Sequence, residues 1–212
     1  MSETGIEIEG ARIAITGGTG FVGRALIQQL AARKASLRCW HRPSSDLSSF
    51  EQQADQIEWL PGDLASPDID DQANQLVEGC DAIVHSAYWR PGTSFRDTGG
   101  DLVEYSRVNI LGTLALIQAA MAANVKRFIF VSTCAVHEQI LDDRALDESH
   151  PLWALTHYGA HKAAIEKFVH SYGLGHGYPI CAVRPTGIYG VMHDAAKSKW
   201  FDLVTDVAAV WK

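Results

Sequence analysis

The sequence has no long hydrophobic run and no closely spaced pair of cysteines. No apolar stretch approaches the ~20 residues that a helix needs to span a bilayer, and the acidic start at 1–5 lacks a signal-peptide pattern. The cysteines Cys39, Cys80, Cys134 and Cys181 are scattered and form no Cys-x-x-Cys motif. We therefore expect reduced core thiols in a cytoplasmic protein without membrane contact, with Cys134 the one near the chemistry.

Positive charge is also scarce. The chain has 18 Lys and Arg residues against 25 Asp and Glu, a formal net charge of −7, which argues against a general nucleic-acid-binding protein. It contains no low-complexity segment and no repeat at a solenoid period. The remaining composition, 47% hydrophobic and 20% charged over 212 residues, is typical of a globular domain with a substantial core.

A glycine-rich turn follows the first predicted strand. The apolar run at 13–15 predicts a buried strand; Gly17, Gly20 and Gly23 follow at three-residue steps, and apolar residues at helical spacing come next. Glycines permit a tight turn and the close approach of a phosphate, and a helix N-terminus offers free N–H groups to the anion. The stretch predicts a dinucleotide-binding turn, the alternative being an ordinary glycine-rich turn.

Strand and helix patterns alternate along the chain, which predicts an α/β fold with a parallel sheet. The predicted strands are 12–16, 36–41, 57–60, 82–85, 127–132 and 180–184. The predicted helices are 20–33, 70–78, 102–123, 156–172 and 195–211. A loop rich in Gly, Pro, Arg and Trp spans 87–100, after the fourth strand, where such sheets place substrate contacts.

Tyr158 and Lys162 are four residues apart on a predicted helix and therefore share one face. A lysine beside a phenol helps to lower the phenol pKa, so that Tyr158 can act as a general acid and base near neutral pH. Ser132 and Thr133 end the fifth predicted strand, where a hydroxyl can hydrogen-bond a substrate oxygen beside the phenol.

Seven stretches, in order, resemble the extended short-chain dehydrogenase/reductase superfamily, in particular the NAD-dependent epimerase/dehydratase family. They cover almost the whole chain: ITGGTGFVG (15–23), PGDL (61–64), DAIVHSA (81–87), VNILGT (108–113), VKRFIFVSTCAV (125–136), YGAHK (158–162) and VRPTGIYG (183–190). The resemblance implies a Rossmann-type doubly wound parallel sheet of strand order 3-2-1-4-5-6 with helices on both faces. It also implies an enzyme that transfers a hydride between a nicotinamide and a substrate carbon.

The resemblance also implies roles for individual residues. Thr133, Tyr158 and Lys162 would be catalytic and would contact the cofactor, and Asn109 would support the geometry of the site. The other cofactor-binding positions would be Gly17, Gly20, Phe21, Val22, Gly23, Asp63, Leu64, Ser86, Ala87, Pro185, Thr186 and Ile188.

The end of the second predicted strand bears on the choice of cofactor. NAD-specific sites usually place an acid there for the ribose hydroxyls, whereas this chain has His41 and Arg42. A guanidinium suits a 2′-phosphate, so NADP is slightly favoured over NAD. The alternative is a solvated arginine, with NAD bound through backbone groups.

Three functions remain open. Sugar-nucleotide dehydratases usually follow the catalytic threonine with two acids, but Cys134 and Ala135 follow Thr133, which argues against dehydration. We expect NADPH-dependent reduction of a small-molecule carbonyl. An NAD-dependent nucleoside-diphosphate-sugar epimerase and a non-catalytic NAD(P)-binding sensor or scaffold are the alternatives.

The chain organisation gives further expectations. Residues 1–190 form the NAD(P)-binding domain with the catalytic residues, and 191–212 begin a C-terminal substrate-binding region that is short or incomplete here. Family members often dimerise through the helices predicted at 102–123 and 156–172, although these helices can also simply pack on the sheet.

Six other residues have chemistry that a site could use. Trp89 and Arg90 either clamp the substrate or are surface residues. We expect His85 to be a satisfied buried histidine, and Glu166 to lie on a solvated face unless it pairs with a nearby cation. His157 and His161 share a helical spacing, but no third ligand follows at a persuasive spacing, so we expect no metal.

Overall fold

A computed structural model describes residues 5–90 and 101–190 of the chain. Six parallel strands form one sheet in the order β3-β2-β1-β4-β5-β6, which confirms the predicted fold. They are β1 Arg12–Thr16, β2 Ser36–His41, β3 Ile57–Pro61, β4 Ala82–His85, β5 Arg127–Val131 and β6 Ile180–Val183. The predicted helix at 195–211 and the loop residues 91–100 lie outside the described residues.

Helices connect the strands. They are α1 Phe21–Ala32, α2 Ile69–Val77, α3 Leu102–Ser106, α4 Gly112–Ala122 and α5 His157–His170. Short 3₁₀ helices cover Ser48–Gln56 and Cys134–His137, and π-helical turns cover Arg107–Leu111 and Ser171–Gly175. The helix α2 is followed by Gly79 at a φ of +66°, a conformation that favours glycine after a helix.

The helix predicted as continuous over 102–123 is interrupted by the π-helical turn at Arg107–Leu111. Two side chains bond to backbone carbonyls there: Asn109 Nδ2 donates to the Tyr105 oxygen at 3.0 Å, and Thr113 Oγ1 donates to the Asn109 oxygen at 2.6 Å. Apolar spacing along the sequence does not distinguish this turn from a regular helix. The turn brings Asn109 into the interior, where it is 1% exposed.

The sheet has an apolar core on each face, as alternating side chains of buried parallel strands require. One core contains Ala14, Ile83 and Phe128 with residues of α2, α4 and α5. The other contains Ile15 and Leu37 with residues of α1. This arrangement confirms helices on both faces.

The cysteines divide into two groups. Cys39 and Cys80 are buried free thiols, as predicted. Cys134 and Cys181 are free but exposed, so the expectation of core thiols is wrong for these two. Cys181 lies on β6, the last strand of the sheet, and only one side of that strand is paired within the described residues.

Strands β2 and β3 are added on one side of β1, whereas β4, β5 and β6 are added on the other. A crevice therefore opens between β1 and β4, at the carboxyl ends of these two parallel strands. Thr16 at the end of β1 is in register with His85 at the end of β4. In open parallel sheets, ligands bind outside the carboxyl ends of the strands at this switch point. The glycine turn, the residues after β4 and the residues after β5 all lie on this edge.

Candidate active site

The glycine turn after β1 is too tightly packed for side chains. Gly17 has a φ of +72°, and a Cβ atom there would lie 2.7 Å from the backbone nitrogen of Ala87. A Cβ atom on Gly23 would lie 2.2 Å from the Gly17 carbonyl oxygen. Gly20 caps α1 without a side-chain hydrogen bond, so no side chain at this position competes for the first N–H groups of the helix. The turn therefore fits the pyrophosphate of a dinucleotide.

The segment after β4 closes over this turn. Ser86 Oγ donates a hydrogen bond to the Thr16 carbonyl oxygen at 2.7 Å, and the Ala87 N–H donates to Thr16 Oγ1 at 3.2 Å. These bonds hold Ser86 and Ala87 against Gly17. The fold thus brings Ser86 and Ala87 to Gly17, about 70 positions earlier in the sequence, and these three residues are predicted cofactor contacts.

The loop after β2 lies on the other side of the turn. Arg42 is exposed, and its backbone N–H donates to Ser45 Oγ at 3.0 Å. His41 is half-buried with its ring edge-on to Trp59, the two ring centroids 6.1 Å apart. Both predicted residues therefore stand at the strand end where a dinucleotide ribose is expected.

Arg24 was not predicted as a site residue, yet it joins the glycine turn to the loop after β2. Its guanidinium donates to the carbonyl oxygens of Thr19 at 2.9 Å and Asp46 at 2.7 Å, and also to the Ser49 hydroxyl. The sequence signal was weak, because a basic residue in the first turn of a helix is usually a solvated one.

Asp63 and Leu64 follow β3. The Asp63 carboxylate accepts the Ala65 N–H at 2.9 Å, and the Asp63 N–H donates to Gln72 Oε1 at 3.0 Å. Leu64 is buried at 5% exposure. The structure shows an ordered turn at this position, and contact with adenine stays a prediction.

Thr133 and Tyr158 meet at the end of β5. Their side chains are hydrogen-bonded, although 25 residues separate them in the sequence (158 − 133 = 25). Burial raises the pKa of Tyr158 above its usual value, and the bond with Thr133 opposes this rise only in part. The net shift of this pKa is therefore upward, and the help that Lys162 gives in lowering it stays a prediction.

Lys162 is almost completely buried, at 3% exposure. Its ammonium nitrogen donates to the Val131 carbonyl oxygen at 2.8 Å and stands 4.6 Å from the centroid of the Phe130 ring. Burial lowers the pKa of Lys162 to about 7, against the opposing effect of the Glu166 carboxylate. The nitrogen also lies 4.9 Å from the centroid of the Tyr88 ring.

The Asn109 side chain makes two hydrogen bonds to the backbone of Trp89. Its Oδ1 accepts the Trp89 N–H at 2.9 Å, and its Nδ2 donates to the Trp89 carbonyl oxygen at 2.9 Å. Trp89 is half-buried, with its ring 5.9 Å from that of Tyr105, while Arg90 is exposed. Asn109 thus supports the loop that carries both predicted substrate residues.

The aromatic ring of Tyr88 packs beside that of Tyr158, a contact that the sequence did not predict. The two rings are nearly perpendicular, with centroids 5.0 Å apart. The Tyr88 hydroxyl is hydrogen-bonded to that of Tyr105, and burial raises the pKa of Tyr88. The only available signal was the position of Tyr88 in a loop after a parallel strand.

Glu166 corrects another expectation, because it is fully buried rather than solvated. Arg184, just after β6, donates to both of its carboxylate oxygens: Nη2 lies 2.6 Å and Nε 3.0 Å from Oε2, and Nε lies 3.2 Å from Oε1. The Ser132 hydroxyl also donates to Oε1. The cation that sequence analysis had considered as an alternative is therefore Arg184.

Pro185, Thr186 and Ile188 follow directly. The Cys134 N–H donates to the Pro185 carbonyl oxygen at 2.9 Å, which places this segment next to Thr133. Thr186 is exposed and Ile188 is half-buried. Their predicted contact with the nicotinamide stays a prediction.

His161 does not resemble a metal ligand. Its Nδ1 donates to the His157 carbonyl oxygen at 2.6 Å, and its Nε2 lies 2.8 Å from Ser106 Oγ. Over residues 5–90 and 101–190, no group of three or more His, Cys, Asp or Glu side chains is arranged to hold a metal ion. The helices within these same ranges do not have the length and hydropathy of a transmembrane span.

A parallel sheet with a glycine turn at its switch point and a Thr-Tyr-Lys group on the same edge defines a dinucleotide-binding α/β protein of the extended short-chain dehydrogenase/reductase type. The chain belongs to the NAD-dependent epimerase/dehydratase family, whose sequence model matches residues 13–210.

Two relatives illustrate the range of this family. The chain is 32% identical over 207 residues to 4-hydroxy-2-methyl-3-oxo-4-farnesyl-3,4-dihydroquinoline-1-oxide ketoreductase of Stigmatella aurantiaca, an alignment that covers 94% of this chain and 57% of the relative. It is 31% identical over 213 residues to 3 beta-hydroxysteroid dehydrogenase/Delta 5-->4-isomerase of Mycobacterium tuberculosis, covering 96% and 54%. The chain thus spans little more than half the length of these relatives.

Solved structures agree on the fold. UDP-N-acetylglucosamine 4-epimerase from Methanobrevibacter ruminantium superimposes with a TM-score of 0.75 at 22% identity, over 88% of this chain and 58% of that one. At this level of identity, the similarity concerns the architecture of the sheet and its helices.

Proposed function

We propose that the protein is an NAD(P)-dependent oxidoreductase that reduces a carbonyl group of a small molecule. The observation that carries the proposal is the Tyr158 phenol, hydrogen-bonded to Thr133 on the same edge of the sheet as the glycine turn. The glycine turn would hold a nicotinamide cofactor on this edge, and the cofactor would supply the hydride, while residues of the chain orient the carbonyl oxygen and donate its proton.

The raised pKa of Tyr158 favours reduction. A phenol whose pKa lies above its usual value stays protonated at neutral pH and can give its proton to the oxygen of a carbonyl as this is reduced. The Thr133 hydroxyl orients that oxygen beside the phenol. Lys162 brings an ammonium group close to this edge, and its low pKa makes the charge easy to gain or lose near pH 7.

The names of the two relatives support this class of reaction. One is named a ketoreductase and the other a hydroxysteroid dehydrogenase, so both names refer to redox chemistry at a ketone or hydroxyl carbon. The aromatic side chains of Tyr88, Trp89 and Tyr105 offer a flat apolar surface beside Tyr158. We infer a substrate with a carbonyl or hydroxyl group on an apolar or ring-containing frame, bound in part by Trp89 and Arg90.

NADP is the cofactor we propose. The exposed Arg42 and the neighbouring Ser45 hydroxyl stand at the end of β2, and a guanidinium with a hydroxyl donor suits a 2′-phosphate. The family description names NAD, so the proposal concerns this chain's preference between the two cofactors.

The remaining expectations are also proposals. We infer that residues 1–190 form the cofactor domain, because the glycine turn and the Thr133, Tyr158 and Lys162 group all lie within them, and that 191–212 begin the substrate region. We further infer a cytoplasmic protein and a homodimer that pairs through the helices at 102–123 and 156–172.

The test is the Tyr158→Phe substitution, with Tyr178→Phe as the matched control on a half-buried tyrosine outside the site. We expect Tyr158→Phe to lower turnover of a model ketone by at least about 100-fold, the usual contribution of a general acid, while the Kd of NADPH changes little. Unchanged turnover in this variant would contradict the proposal. Mass spectrometry of small molecules released from the purified protein is the second measurement, and tightly held NAD with a sugar nucleotide would instead indicate an epimerase.

A further inference from the structure

A chain of hydrogen bonds passes through His85, a residue that the proposed reaction does not use. The Ala87 N–H donates to Thr16 Oγ1 at 3.2 Å, and Thr16 Oγ1 lies 2.6 Å from His85 Nδ1. On the other side of the ring, His85 Nε2 lies 2.9 Å from Thr113 Oγ1, which donates to the Asn109 carbonyl oxygen at 2.6 Å. His85 is 1% exposed.

One carbonyl group and the burial of the imidazole together fix the direction of the hydrogen bonds on either side of His85. The Asn109 carbonyl oxygen can only accept, so the single hydroxyl proton of Thr113 points to it, and Thr113 Oγ1 must accept a proton from His85 Nε2. The ring is almost completely buried, at 1% exposure, and burial disfavours its charged form, so the imidazole is neutral. With its one proton on Nε2, Nδ1 carries none and accepts the hydroxyl proton of Thr16.

The residues at the two ends of this series of hydrogen bonds, Thr16 and Asn109, both bind the same loop, residues 86–89. At one end, Thr16 fixes the N–H of Ala87, which packs against the glycine turn. At the other end, the Asn109 side chain fixes both the N–H and the carbonyl group of Trp89. Tyr88 lies between these two points, and its ring stands against that of Tyr158.

We propose that His85 is a positioning residue that sets the loop 86–89 from both ends, and so places Ala87 at the pyrophosphate turn and Tyr88 beside Tyr158. The part of this inference that concerns Tyr158 rests on the proposed function. The part that concerns the loop and the cofactor turn does not depend on turnover.

A competing explanation is that His85 only fills space. Its ring lies 5.7 Å from the Phe130 ring and 6.3 Å from the Phe128 ring, as an apolar core residue would. The two explanations predict opposite rankings of two variants in cofactor binding and in amide exchange. His85→Gln keeps one acceptor and one donor at the end of a side chain of similar reach, whereas His85→Leu keeps only the apolar volume.

We expect His85→Gln to bind NADPH within about threefold of the unmodified protein, and His85→Leu to bind it about tenfold more weakly, because the hydroxyls of Thr16 and Thr113 lose their partner. Hydrogen exchange at the amides of Ala87 and Trp89 should accelerate about tenfold in His85→Leu and remain slow in His85→Gln. An equal or reversed order of the two variants in either measurement would overturn the proposal.

Thr113 provides a second test if His85→Leu does not fold. Thr113→Val removes the acceptor for His85 Nε2, and Thr113→Ser retains it. Faster hydrogen exchange at the Ala87 amide in Thr113→Val, with no change in Thr113→Ser, supports the proposed role of His85. Equal exchange in the two variants contradicts it. If the unmodified protein binds neither NADH nor NADPH, the proposed function fails, and the exchange comparison still decides the role of His85.

Discussion

Arg42 is exposed just after β2, and its backbone N–H donates to the hydroxyl of Ser45. We expect Arg42→Ala to weaken NADPH binding by about 10- to 100-fold, the range for losing a charge-assisted bond, and to change NADH binding less than about twofold. Fluorescence titration with both cofactors measures this, with Arg33→Ala as a control for an exposed arginine elsewhere. Equal losses for the two cofactors would refute the NADP preference.

The buried His85 also predicts how stability responds to acid. Burial lowers the pKa of His85 to about 3 from its usual 6.5, with the nearby charge of Lys162 acting in the same direction. Between these two pH values the unfolded chain holds a proton that the folded chain does not, so the free energy of unfolding falls as the pH is lowered.

The comparison with His85→Gln isolates this contribution. The unmodified protein should lose stability between pH 6.5 and pH 3 more steeply than the variant, by up to ~1.4 kcal/mol per pH unit. Urea unfolding at a series of pH values measures the difference. Parallel curves for the two proteins would show that the imidazole is not kept neutral.

Among the secondary-structure elements, the Glu166–Arg184 ion pair joins α5, which carries Tyr158 and Lys162, to the end of β6. Ser132 at the end of β5 bonds to the same carboxylate. One ion pair thus fixes three of the elements that surround the Thr133 hydroxyl.

Arg184→Met should lower the free energy of unfolding by about 3 kcal/mol, because it leaves a fully buried carboxylate without its cation. Adding Glu166→Leu should recover most of this loss, since the double variant buries no charge. Chemical denaturation measures both. Arg107→Met, which breaks the exposed ion pair with Glu104, is the control, and it should lower the free energy of unfolding much less. A similar loss for Arg184→Met and Arg107→Met would contradict this account.

The sequence predicted the elements better than the contacts between them. Apolar runs bounded by Gly and Pro located all six strands to within one residue at either end. The π-helical turn at Arg107–Leu111 escaped prediction because it depends on side-chain bonds from Asn109 and Thr113. The role of Glu166 escaped because Arg184 lies 18 residues away on another element. Local patterns carry no information on such pairings.

For the whole molecule, the question is how the apolar surface of the helices at 102–123 is covered. Val103 is 76% and Leu111 58% exposed, on helices that the family resemblance associates with dimers. We expect the purified protein to have the mass of two chains in light scattering at micromolar concentration.

A charge placed on this surface tests the interface. Leu111→Glu should give the mass of one chain, because burial of an unpaired carboxylate opposes association. Leu174→Glu, at an exposed leucine outside both helices, should leave the mass unchanged. A single-chain mass for the unmodified protein, or dimers in both variants, would refute this interface.

The order of the sheet also determines when the cofactor site can form during synthesis. β1 pairs with β2 and β4, and Thr16 precedes its β4 neighbour His85 by 69 residues. A nascent chain that has emerged only through β3 can pair β3-β2-β1, but it leaves one edge of β1 open to wrong partners. Its glycine turn also lacks Ser86 and Ala87. The translation of β4, rather than that of the turn itself, therefore sets the earliest moment at which a nucleotide can bind and stabilise the emerging chain.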